Sequence, residues 1–242
     1  MLEHKKIQNL SDYFVELNSR REKGVYFYRI NGYSEEVGEF IKKYYDTARR
    51  TGVVIEGKIP NPDEGNLAYY NEIMGMDFQM SMDFIHVSLR KWLPRMNEFQ
   101  RQNVAASIYD SLDSLRKAGK TENMLRNAYI KFMCWLYYKF ERIVNQLGEN
   151  HIPKILYEGQ ISNYELMLIS ILSNAGCDVV LLQYAGDQGY LKTDPGSVLS
   201  DSLQMEGLQP FPQGYCVKKV RDEIQNELNN ELPAPFCLKN KM

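Results

Sequence analysis

One local pattern occurs twice in this chain and restricts its fold more than any other feature. It runs as a short apolar stretch, a polar turn carrying a serine, an amphipathic helix, a glycine, and a second apolar stretch. The later copy reads KILYEG, QIS, NYELMLISILSNA, Gly176 and CDVVLLQY. Ser162 and Glu165 stand at capping-box spacing, so each side chain can satisfy an orphan amide at the helix start. Leu166, Ile169 and Leu172 carry an apolar stripe through to the glycine. The flanking stretches are continuously apolar rather than alternating, as parallel strands covered on both faces require. A right-handed crossover is the default way to connect them.

The earlier copy starts at Gly24 and reads GVYFYRI, NGYS, EEVGEFIKKYYDTARR, TG and VVIEG. Ser34 is placed to cap the helix, and Glu35 and Glu36 complement the positive end of its dipole. Arg49 and Arg50 occupy the last turn before the Gly52 stop. The likeness of the two copies fits an internal duplication, and it equally fits the general grammar of α/β segments. The expected fold class is α/β, with Rossmann-like βαβ units of parallel strands and a helical insertion between them.

The expected organisation is a first βαβ unit over 1–60, a helical region over 61–150, a second βαβ unit over 151–195, and a loop-rich segment with one helix over 196–242. In the helical region, Asn97 and Gln100 form a second capping-box pattern ahead of Val104, Ile108, Leu112 and Leu115. A further helix is expected from Thr121 to Leu147, apolar on more than one face and therefore buried on most sides. Residues from Ser81 to Pro94 fit a helix better than a strand. After Tyr184, glycine and proline punctuation predicts loop, then an exposed charged helix from Val217 to Leu232 and no further strand. Two strands cannot bury themselves, so the second unit needs the first unit's strands or a sheet continuing past residue 242, which would make the chain a truncated half.

Composition narrows the function classes. Twenty-nine Lys and Arg against thirty-one Asp and Glu give a net charge of -2. That balance argues against electrostatic binding of nucleic acid or an anionic membrane. No apolar segment approaches the roughly 20 residues of a membrane span, and the N-terminus lacks a signal-peptide pattern, so a cytoplasmic location is expected. Cys134, Cys177, Cys216 and Cys237 are scattered without metal-ligand spacing, which suits free thiols and gives no metal site.

Ligands of open α/β sheets bind beyond the carboxyl ends of the strands, and that rule selects the candidates. In the second unit they are Glu158, Gly159, Ser162 and Asn163 after the first strand, with Gly186, Asp187 and Gln188 after the second. Amides near Ser162 can hold a phosphate, and Asp187 can accept from ribose hydroxyls. In the first unit the corresponding turn holds Asn31, Gly32, Tyr33 and Ser34, and the second strand leads to Glu56, Lys58, Asp63 and Glu64. The three-glycine dinucleotide fingerprint and the P-loop pattern are both missing, so the alternative is a set of capped turns with solvated acids. His86 shares a helical stripe with Asp83 and Arg90, which reads as ion pairing rather than catalysis.

The stretches VYFYRINGYSEE, VVIEGKIPNPDEGNLAYYNEIMGMDF, LRKWLPRMN, NMLRNAYIKFMCWLYYKFERIVNQLG and KILYEGQISNYEL together resemble the bacterial YceG-type family, over about Gly24 to Asp194. That resemblance implies a component of a biosynthetic module linked to tellurite resistance and stress response, among proteins that build a small, nucleotide-like molecule. It carries over no activity, catalytic residues or cofactor to positions of this chain, and it implies typical members longer than this chain. The functional expectation is therefore a module component that binds a nucleotide or nucleotide-sugar at its strand ends. The alternatives are a non-catalytic partner of other module proteins and an inactive fragment.

Overall fold

The computed structural model describes residues 2–60, 67–148 and 150–231. Five strands form one parallel sheet: β1 (Phe27–Ile30), β2 (Val53–Glu56), β3 (Lys154–Glu158), β4 (Asp178–Leu182) and β5 (Asp201–Ser202), in the spatial order β2-β3-β4-β1-β5. The strands of the two sequence units therefore interleave. β3 and β4 are neighbours, with Ile155 beside Val179, whereas β3 and β4 both lie between β1 and β2. β5 is an edge strand in a stretch expected to be loop; two residues are too short to leave a periodic signal.

Alternation along the strands sorts the core into two layers. Tyr28, Ile30, Leu156, Val180 and Leu182 pack against α1 (Glu35–Thr51) through its stripe Val37, Phe40, Ile41, Tyr44 and Ala48. Phe27, Ile55, Ile155, Tyr157, Val179 and Leu181 face the opposite layer. That layer contains α2 (Ala68–Met74), α3 (Met82–Trp92), α4 (Glu98–Lys117), α5 (Glu122–Trp135), α6 (Glu141–Val144) and α7 (Asn163–Ala175). A π-helical turn, Leu136–Phe140, joins α5 to α6 in the long helix foreseen over 121–147. A short α8 (Gln188–Leu191) and a C-terminal α9 (Val217–Glu231) complete the chain, α9 packing on α1.

Local caps set most helix starts. Ser34, Ser81 and Thr121 accept amides of the first turn, and Asn97–Gln100 and Ser162–Glu165 form complete capping boxes. Glu165 has a second task, because its Oε1 accepts from the Ile59 amide at 2.7 Å and ties the chain after β2 to α7. Gly52 ends α1 where only hydrogen fits: a Cβ there would lie 1.7 Å from the Lys154 carbonyl oxygen. The β2 edge is guarded by Arg142, which donates to the carbonyls of Arg50 and Gly52, and by an Arg221–Glu56 ion pair at 3.4 Å.

A buried ionic centre closes the amino ends of the strands. The Asp178 carboxylate receives both guanidinium nitrogens of Arg20, the Lys154 ammonium and the Tyr26 amide. Arg20 also donates to the Gly24 carbonyl at 2.7 Å and lies 4.1 Å over the Tyr26 ring. Tyr44 and Tyr13 donate from the α1 side to the carbonyls of Asp178 and Val179 at 3.0 Å each. Burial lowers the Lys154 pKa below its ordinary 10.5, against the attraction of Asp178.

Asp178→Asn leaves two cations facing one neutral amide inside the protein and is expected to cost about 3–5 kcal/mol in denaturant unfolding. Lys154→Met removes one cation while Arg20 keeps its partner, and is expected to change stability by less than about 1.5 kcal/mol at neutral pH. Because the folded chain releases the Lys154 proton before the unfolded chain does, wild type gains stability as pH rises from the depressed value towards 10.5. Lys154→Met lacks that gain, so the difference between the two proteins shifts in favour of wild type across this window; parallel curves would refute the assignment.

Candidate functional site

The carboxyl ends of the strands divide into a sealed side and an open side. On the sealed side, β3 ends at Glu158, whose Oε2 accepts from the Tyr184 hydroxyl at 2.7 Å and from the Val217 amide at 2.8 Å. Glu158 thus caps the start of α9, and burial, followed by the hydrogen bond to the Glu158 carboxylate and its charge, pushes the Tyr184 phenol well above its ordinary value. Tyr184 packs edge-on against Phe211 and Tyr215, which also contact Tyr33, so an aromatic cluster lies over these turns. Gly159 sits inside this arrangement in a left-handed conformation, φ +93, its carbonyl held by Gln183 Nε2 at 3.0 Å.

Ser162 and Asn163 are exposed at the start of α7, with the Ser162 hydroxyl committed to Glu165. Lys58 is exposed beyond β2, and Asp63 and Glu64 lie outside the described residues. Ser34 caps α1 through the Val37 amide. Gln188 is exposed at the first position of α8. His86 Nε2 hydrogen-bonds with Glu98 Oε1 at 2.9 Å, a contact between consecutive helices rather than along one helix face.

The open side lies between β4, β1 and β5. The chain leaves β1 toward α1 on one face of the sheet, whereas the connection leaving β4 crosses to the opposite face, where Tyr190 is buried. These neighbouring strands therefore diverge, the geometry that opens a crevice in a doubly wound sheet. A cleft of about 600 Å³ occupies that place. Asn31 and Gly32 line it from the β1 exit, Tyr184 and Gly186 from the β4 exit, and Gln204, Leu208 and Gln209 from the segment after β5. The structure thus brings Asn31 and Gly186 together and leaves Glu158, Gly159, Ser162, Asn163, Ser34 and Lys58 outside the lining of this cleft.

Among the described residues the cleft is polar without charge: none of the lining side chains is Asp, Glu, Lys, Arg or His. Asn31 Nδ2 and Gln204 Nε2 both donate to the Ser202 hydroxyl at 3.2 Å, leaving carboxamide oxygens to accept from a ligand. Gly186 takes φ +80 and has nothing within 4 Å of a Cβ position, so it forms a tight open turn. Tyr33 and Gln209 exchange backbone hydrogen bonds at 2.6 and 2.9 Å and fix the far wall.

Beneath the cleft, Asp187 is held by Arg29 of β1. The guanidinium gives a bidentate pair to the carboxylate at 3.1 and 3.0 Å, and its third nitrogen donates to the Ser200 carbonyl and hydroxyl at 2.6 and 2.8 Å. It also lies 4.1 Å over the Tyr190 ring, while Tyr190 donates to Asp194 at 2.9 Å. Asp187, expected to meet a ribose, is thereby engaged in clamping the β4–β5 connection across β1. Sequence reasoning passed over Arg29, Ser200, Tyr190, Gln204 and Gln209. The available signal was Arg29 itself, a cation inside the apolar run VYFYRI, which a buried strand tolerates only with a partner.

A family model described as the YceG domain matches residues 5–229. The chain belongs to that family. The YceG-domain match spans all five strands and every residue of the strand-end cleft. No curated protein and no solved structure matches the chain. Among the described residues no helix is long and apolar enough to cross a membrane.

Asp187→Ala strands the Arg29 charge in a buried site and is expected to cost about 3–5 kcal/mol by chemical denaturation. Ser162→Ala removes only a helix cap and is expected to cost about 1 kcal/mol. Equal losses for the two would show that the clamp does not carry the energy its geometry suggests.

Proposed function

We propose that this YceG-domain chain binds the uncharged part of a nucleoside or nucleotide-sugar ligand in the strand-end cleft. In this reading it acts as a component of the biosynthetic module that its family resemblance links to tellurite resistance and stress response. The observation that carries the reading is the position of the cleft, at the point where the connections leaving β1 and β4 part to opposite faces. The lining supports the choice of chemistry. Carboxamides and backbone groups match hydroxyls and base edges, and the glycine turn at Gly186, with nothing within 4 Å of a Cβ position, allows close approach of a sugar.

Charge decides which part of the ligand enters. Among the described residues no cation lines the cleft, and the first turn of α1, next to it, carries Glu35 and Glu36. A phosphate placed on those amides would meet two carboxylates, so phosphates belong outside, in solvent. Among the described residues Tyr184 is the titratable group in the lining, and its hydroxyl is already donated to Glu158. The cleft is accordingly a recognition site rather than an acid–base centre.

Calorimetric and thermal-shift titrations with adenosine, uridine, a uridine diphosphate sugar and adenosine triphosphate test this reading. Nucleosides and the sugar nucleotide are expected to stabilise the chain, with the triphosphate no tighter than its nucleoside. Asn31→Ala and Gln204→Ala are each expected to weaken binding roughly fivefold, the effect of about 1 kcal/mol per hydrogen bond, without changing unfolding in the absence of ligand by more than about 1 kcal/mol. Stabilisation by none of these compounds, or a triphosphate preference that survives both substitutions, would reject the cleft.

A further inference from the structure

A second cavity, of about 450 Å³, lies far along the chain from the strand-end cleft, between α2 and α5. Its walls are two helical stripes facing each other. Leu67, Tyr70 and Met74 recur at spacings of three and four, opposite Asn127, Ile130, Lys131, Cys134 and Trp135. Ile130, Cys134 and Trp135 are buried and form the floor, whereas Leu67, Tyr70 and Met74 remain 41%, 36% and 37% exposed. Three large apolar side chains held open to water over a buried apolar floor leave surface for a ligand to cover.

The groove is held in shape from below and at one end. Tyr69 donates to the Met133 carbonyl at 3.3 Å and stacks on Tyr137 at 3.8 Å, and Arg126 donates to the Met74 carbonyl. The stacked Tyr137 belongs to the π-turn that follows Trp135, a backbone irregularity that recurs at functional sites.

Lys131 gives the groove its chemistry. Among the described residues it is the one charged side chain in the lining, half-buried, with its ammonium 4.8 Å over the Trp135 ring and 5.2 Å over the Tyr164 ring. Among the described residues it has no carboxylate within ion-pair distance. Ring faces attract the cation but accept none of its hydrogen bonds in the manner of a carboxylate oxygen. An apolar trough of this volume, with a cation that has no carboxylate partner among the described residues, is complementary to an amphiphilic organic anion. Cys134 on the floor is no nucleophile for it, since burial pushes the thiol up to about 11.

We propose that the α2–α5 groove binds a small carboxylate with an apolar body, the head on Lys131 and the body along Leu67, Tyr70, Met74 and Trp135. The probe is decanoate, with decanol as the uncharged match, titrated calorimetrically into the full chain at neutral pH. Trp92→Phe removes one of the two tryptophans and makes Trp135 fluorescence the reporter of location. Decanoate is expected to bind saturably with a change in Trp135 emission, and tighter than decanol. Lys131→Gln should weaken decanoate roughly tenfold and leave decanol unchanged, while Lys131→Arg retains most of the affinity. Absence of saturable decanoate binding, equal affinity for decanol, or indifference to Lys131→Gln would each overturn the proposal.

Discussion

The buried Asp178 carboxylate is the interaction on which the rest of the fold depends. It is the first residue of β4, and its partners come from the N-terminal segment, the start of β1 and the first residue of β3. One side chain therefore fixes the amino ends of three neighbouring strands at a common level. Charges this deep are expensive to desolvate, and a lone pair often gains little over apolar packing. What the arrangement supplies is register: Asp178 opposite Lys154, with Tyr26 close enough for its amide to reach the same oxygen as Arg20. Slippage of one residue would leave a charge without its partner and turn every strand side chain to the wrong layer.

The opposite end of the sheet follows from that alignment. With β4 and β1 held level, their exits reach the same height, and their divergence to opposite faces opens the cleft. Arg29 works there as a counterpart to Asp178, a buried charge on β1 that gathers the connection between β4 and β5. The two ionic centres differ in purpose. The first aligns strands, and the second holds a crossover against the sheet so that the segment after β5 can form a wall of the cleft. The aromatic cluster around Tyr184 then covers the β3 side of the cleft.

The sequence was legible where partners lie within one helical turn. Ser162 with Glu165, Asn97 with Gln100, and Ser34 ahead of Val37 each announce a helix start from four residues, and the structure has the helices there. The identity of β1 to β4 was legible for the same reason, since continuous apolar runs need only their own composition to be recognised, whereas the two-residue β5 carries no such run. Strand order was not, because neither β1 nor β2 carries a local mark of the two strands that come between them. The candidate site was half legible. The rule that ligands gather at strand exits pointed to Asn31 and Gly186, but Arg29 and Asp187 are 158 residues apart, as are Arg20 and Asp178. Nothing in either neighbourhood specifies the other, and the fate of Asp187 was invisible until both were placed.

The edges of the sheet have a consequence for how this chain behaves in company. At one end β5 stops after two residues, and the chain turns back to bridge Tyr33 with Gln209; at the other, Arg142 occupies carbonyls just ahead of β2 while Glu56 and Arg221 set charge along it. An unguarded parallel sheet offers each flank as a template for a stray strand, and aggregation begins there. Among the described residues both flanks are blunted by different means, one by the shortness of β5 and the other by arginine contacts and charge at β2, and each device makes the docking of a stray strand there less favourable.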